Sequence, residues 1–203
     1  MAMVRLICIL FTIIAMPISM SSQSFSDLWG KFSEAQKKDL PKTQIEVLQS
    51  IIDKADKSRE YGHLLKAQLK KVEAVTAITP DSLNVEVDKL VQLEKKAETR
   101  NPVLAAVYQA VLGAVYQRNP TLDEKCDEIS KNYFAKAMSN PTLLASTKTD
   151  AFVPLLIKGD DSQYYNHDLL SPIASLAGDM EALHLYYSQN GKCIGGIEVN
   201  YGK

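Results

Sequence analysis

The chain has 203 residues, with 23 basic and 24 acidic side chains and a formal net charge of −1 at pH 7. Lys, Glu and Asp are interleaved from Lys31 to Arg100, which leaves no basic stripe of the kind a phosphate backbone requires, so nucleic acid is excluded as a partner. Three cysteines set no disulfide framework, and a chain of this length buries a core without one.

Arg5 precedes an apolar run from Leu6 to Ala15, and Pro17-Ile18-Ser19-Met20-Ser21-Ser22 follows it. A positive start, a short apolar middle and a small-residue exit read as a signal peptide over 1–22, cut before Ser22 or Gln23. The run is about ten residues where a spanning helix needs about twenty, so no stable membrane span is expected after cleavage. Cys8 has no small residues before it, which argues against lipid attachment. The expectation is an exported protein of the periplasm, cell envelope or extracellular space. Its remaining cysteines, Cys126 and Cys193, would then meet oxidising conditions, and whether they pair stays open.

Helical periodicity dominates from Ser26 to about Gln189. Ser26 is placed to cap a first helix carrying Leu28, Trp29 and Phe32, and Pro41 suits the first turn of the next. Ile45, Leu48, Ile51, Ile52 and Ala55 recur at three- and four-residue steps there. Gly62 reads as a break, after which Leu65, Leu69, Val72 and Val75 mark a third helix. Thr79-Pro80-Asp81-Ser82 is a turn, and Leu83, Val87, Leu90 and Ala97 mark a fourth helix.

Between Arg100 and Arg118 no residue is charged. A helix apolar on all sides must be covered on all sides, so this segment is expected at the centre of the fold, with Gly113 admitting a neighbour closely. A helix containing Cys126, Ile129, Tyr133, Phe134 and Met138 follows. A short one starts at Asn140-Pro141, and another runs from Phe152 to Ile157 around Pro154. Leu169, Leu170, Ile173, Leu176, Met180, Leu183 and Tyr187 then read as one continuous final helix, capped by Asn166 or Asp168 and ended by Gly191. The organisation is a helical domain over 23–190, with a subdivision near 119–121 left open, and an irregular tail over 191–203. The fold class is all-α: antiparallel helix hairpins stacked in a tetratricopeptide-like or irregular bundle, because short links leave neighbouring helices no other arrangement.

The chemistry-bearing residues point to no reaction. His63, His167 and His184 fall in no zinc-binding spacing and read as turn or helix-surface residues. Asp160, Asp161, Asn166, His167 and Asp168 form the densest polar cluster, without the alternating ligands of a calcium loop, and read as a loop capping the last helix. Tyr164-Tyr165 beside it reads as a half-packed aromatic pair, and Lys37-Lys38, Lys70-Lys71 and Lys95-Lys96 as solvated faces. No serine sits in a nucleophile motif, and no glycine-rich phosphate loop precedes a helix. Catalytic, cofactor-binding and metal-ligating residues are therefore each assigned as none, and the chain is read as a non-enzyme.

Ser26-Asp27-Leu28-Trp29 through Glu34-Ala35-Gln36-Lys37-Lys38-Asp39-Leu40-Pro41-Lys42-Thr43 resembles the start of the mature chain in bacterial alpha-2-macroglobulin-like proteins. The apolar helix with Tyr108 and Tyr116, and the stretch from Leu155 to Leu170, resemble later parts of the same leading region. The resemblance implies the non-catalytic helical leader of a protease inhibitor, docked to the rest of such a chain or to an envelope protein. Neither Cys126 nor Cys193 lies in the Cys-x-Glu-Gln setting of that family's thioester, so no trapping chemistry carries over to any residue here. The alternative is a free-standing tetratricopeptide-like module that grips a peptide or protein.

Overall fold

Ser24 starts the first helix. Its hydroxyl accepts the Asp27 N–H at 3.1 Å while the Asp27 carboxylate accepts the Ser24 N–H at 3.0 Å, a reciprocal cap two residues ahead of the expected Ser26. The computed structural model describes residues 23–156 and 167–190, and the backbone of 193–194 and 197–198. The expected signal peptide over 1–22 lies outside the described residues, as do Ile157, Asp160, Asp161, Tyr164, Tyr165, Asn166 and Gly191.

The order is α1 Phe25–Lys37, α2 Pro41–Ser58, α3 Tyr61–Ile78, α4 Leu83–Glu98, α5 Pro102–Arg118, α6 Cys126–Ala137, α7 Pro141–Ser146, α8 Leu170–Ala177 and α9 Met180–Gln189. Single 3₁₀ turns at Pro80–Ser82 and Thr149–Phe152 link α3 to α4 and follow α7. Neighbours stack as pairs, most extensively α2 on α3 and α5 on α6. The result is an all-α bundle of stacked helix pairs. In the expected irregular tail, β1 Cys193–Ile194 pairs antiparallel with β2 Ile197–Glu198.

Two apolar cores share α3. Leu28, Phe32, Leu48, Ile51, Ala67 and Ala74 join α1, α2 and one side of α3, while Leu65 on its other side enters a larger core around α5. Every residue of α5 from Leu104 to Ala114 is buried, as its lack of charge requires. Asn101 caps it by accepting the Leu104 N–H at 3.1 Å, and Pro102 occupies the first turn, where a missing N–H leaves no bond unmade. Each enclosed Leu, Ile or Val there contributes about 1.5–3 kcal/mol. At Gly113 an added Cβ would lie 2.8 Å from the Phe134 ring, and the Gly113 carbonyl accepts the Ser130 hydroxyl at 2.7 Å. Helix α6 therefore rests on α5 through the absent side chain.

Three expectations at helix ends are corrected. Gly62 lies within α3; the break falls at Arg59, whose backbone is left-handed at φ 59° and whose N–H closes back on the Ala55 and Asp56 carbonyls. Gly62 is needed for proximity, since the backbone of Phe152 and Val153 crosses directly over it. The expected helix from Phe152 to Ile157 is instead a 3₁₀ turn ending at Phe152, followed by the cis bond Val153–Pro154. The single final helix is two: Gly178, left-handed at φ 72°, ends α8, and Asp179 caps α9 by accepting the Ala182 N–H at 3.1 Å.

Candidate functional site

Short side chains on α5 line an apolar cleft between helices. Val107, Val111 and Val115 form one four-residue row and Ala110, Ala114 and Arg118 the adjacent one, and both face α3, α4 and α8. Leu69, Val72 and Thr76 from α3, Leu83 and Leu90 from α4, Leu155 and Leu156, and Pro172, Ile173 and Leu176 from α8 complete a cleft of about 530 Å³. That volume is within the range of about 300–1,000 Å³ occupied by ligand pockets. Polar groups are few and lie at the rim: Glu73, bonded to Lys70 at 2.6 Å, Thr76, Asn119, and Arg118, which makes no ion pair among the described residues. Such a lining can take up apolar surface.

A second, smaller cavity of about 360 Å³ between α4, α5 and the start of α7 has a different character. Gln109, the one amide side chain in the enclosed stretch of α5, donates from Nε2 to the Glu94 carboxylate at 2.7 Å and to Glu98 at 3.2 Å. Glu94 is only 2% exposed. Burial holds its pKa above the usual carboxylate range; the Gln109 bond opposes this and neighbouring Glu98 adds to it. On the facing helix the Tyr133 phenol is pushed up to about 12, by burial first and then by Glu94. Tyr133 stacks on Tyr116 at 5.9 Å, and the Lys136 ammonium sits 5.7 Å over its ring. Sequence reasoning missed this group, although an uncharged amide inside an otherwise apolar helix is a signal that a buried polar partner must exist.

Asp168, expected in a loop capping the last helix, is buried. It is 4% exposed and accepts the Ser171 N–H at 3.3 Å, the Ser171 hydroxyl at 3.4 Å and the Tyr187 hydroxyl at 2.8 Å. The N-cap position of α8 falls on Leu169 and α9 is capped by Asp179, so Asp168 is not the cap of a single last helix but a buried tie between α8 and α9. His167 is exposed with a left-handed backbone, and its carbonyl accepts both the N–H and the hydroxyl of Thr149. His184 is a half-buried residue of α9.

His63 is no ordinary surface histidine. Its Nδ1 accepts the Trp29 indole N–H at 2.9 Å, and its ring stacks on Phe25 at 3.9 Å. Lys71 leaves the expected solvated face to bond Gln49 at 2.6 Å across the α2–α3 pair. Cys126 is a buried free thiol that donates to the Asn119 carbonyl at 3.3 Å. Among the described residues no group of three or more His, Cys, Asp or Glu side chains is placed to hold a metal ion, and no helix is long and apolar enough to cross a membrane.

No family model matches the chain, and neither a curated protein nor a solved structure matches it. This corrects the expected membership of the alpha-2-macroglobulin-like protease-inhibitor family. The signal peptide and the secreted, periplasmic setting that accompanied it are set aside with it, since none of the three comparisons supports them.

Proposed function

We propose that the chain is a non-catalytic helical binding module that grips an apolar stretch of a protein partner in the cleft between α3, α4, α5 and α8. The observation that carries this reading is the lining itself, in which two rows of α5 side chains face apolar residues of three other helices and of the Leu155–Leu156 segment. Grooves of this kind receive the apolar face of a peptide helix through anchors three and four residues apart. The near-neutral charge and the single Arg and Glu at the rim favour an occupant held by apolar burial over one held by charge. In this reading the stacked hairpins serve as a tetratricopeptide-like frame.

A display selection from random helical peptides tests it. The expected result is enrichment of peptides with apolar residues at four-residue spacing, whose binding is lost in Thr76→Trp. That variant places an indole across the cleft from a half-buried position. Thermal unfolding shows whether the variant stays folded. Failure to enrich, or enriched peptides that bind folded Thr76→Trp as well as the parent chain, overturns the proposal.

A further inference from the structure

The seat of α1 on the α2–α3 pair depends on one acceptor nitrogen. His63 of α3 receives the Trp29 indole N–H on Nδ1, so that nitrogen carries no proton in this arrangement. Phe25 covers one face of the imidazole, at 3.9 Å and 7° from parallel, and Trp29 lies 6.3 Å away at 27°. The surroundings are cationic. The Lys54 ammonium of α2 is 4.8 Å over the Phe25 ring and bonds the Gln23 carbonyl just ahead of α1, while Lys66 of α3 is 5.1 Å over the Trp29 ring. The acidic groups nearby are Glu60, immediately before α3, and Asp27 of α1, which faces Lys54.

We infer that protonation of His63 releases the Trp29 anchor, making the docking of α1 on the α2–α3 pair a proton-sensitive switch. A proton on Nδ1 turns the acceptor into a donor facing the indole N–H, and it adds a third cation between Lys54 and Lys66. Phe25 and Trp29 fasten the start of α1 to His63, so its first turns loosen before the Phe32 and Ala35 contacts farther along. Burial, then Lys66 and Lys54, hold the His63 pKa below 6.5, against an upward pull from Glu60. Because the folded state binds this proton less readily than the unfolded chain, the contribution to stability is present above pH 6.5. It is lost as pH falls through the folded value.

Trp29 is the chain's only tryptophan, so its emission reports the switch directly. Between pH 8 and 5 the parent chain is expected to show one emission transition with a midpoint below 6.5. His63→Gln, which keeps an acceptor oxygen but cannot titrate, is expected to show none. Amide exchange measured alongside is expected to show α1 losing at least tenfold in protection across the transition while α5 keeps its own. A flat profile in the parent chain, the same transition in His63→Gln, or α1 protection that stays constant while the emission changes overturns the inference. His63→Asn serves as the second non-titrating variant if the glutamine fails to fold.

Discussion

Gly62→Ala tests whether tertiary proximity or helix propensity governs this position. On propensity alone the change should help, since alanine is favoured over glycine by up to about 1 kcal/mol inside a helix and by less in the first turn. The geometry says otherwise. A Cβ on Gly62 would lie 2.3 Å from the Val153 carbonyl oxygen and 2.4 Å from the Phe152 carbonyl carbon, well inside the 3.4 Å at which ordinary contact begins. Those atoms are backbone and cannot swing aside as a side-chain end would, so the whole Phe152–Val153 turn must move off α3. Overpacking of this kind costs about 1–3 kcal/mol, enough to outweigh the propensity gain and leave a net loss. Gly30→Ala is the matched control: nothing lies within 4 Å of its Cβ, so propensity acts alone and the chain gains about 0.5–1 kcal/mol. Equilibrium unfolding in guanidinium chloride, followed by far-UV circular dichroism, should give a lower midpoint for Gly62→Ala and a higher one for Gly30→Ala at an unchanged slope. A Gly62→Ala chain as stable as the parent would refute the close crossing.

Two further outcomes follow from the same core. Val107→Asp, at a position 4% exposed inside α5, buries an unpaired carboxylate and should abolish cooperative thermal unfolding, whereas Val85→Asp, 56% exposed on α4, should change stability by no more than about 0.5 kcal/mol. Similar melting curves for the two variants would contradict an enclosed α5. For Glu94→Gln the direction depends on pH. The raised folded pKa means that the contribution of Glu94 is complete below 4.5 and is lost as pH rises through the folded value. The amide variant should therefore exceed the parent in stability at pH 8 by more than at pH 4, as read from denaturant midpoints at both. A variant that is relatively weaker at pH 8 would show that the carboxylate is better accommodated when charged.

The helical segments were legible because each carries its own evidence. The four-residue steps through Leu48, Ile51 and Ala55 mark a buried stripe, and the uncharged run from Asn101 to Gln117 marks a helix with no solvent face. Proline at the start of α2, α5 and α7 was equally readable, since the first turn has no use for an N–H. The candidate site was far less so. Nothing in the spacing of Val107, Ala110, Val111 and Ala114 tells a tightly filled seam from an open cleft, because that depends on how far α8 and the Leu155–Leu156 segment stand away. Likewise His63 has no local partner; its acceptor role comes from a tryptophan 34 residues earlier.

The sequence by itself determined most of the helical stretches (the segment after Phe152 and the break at Gly178 excepted), that the bundle is all-α in its body, and that α5 lies at its centre, because these follow from local periodicity and from the cost of burying charge. Only the tertiary structure decided what the glycines and the isolated polar residues are for. Gly62 and Gly178 share one residue type, yet the first yields room to a crossing backbone and the second supplies a left-handed turn between α8 and α9. Gln109 and Asp168 acquire their roles from Glu94 and Tyr187, partners brought within hydrogen-bond reach by packing. The physical reason is range: propensity and capping act over a few neighbouring residues, whereas proximity and desolvation depend on which distant segments the folded chain brings together.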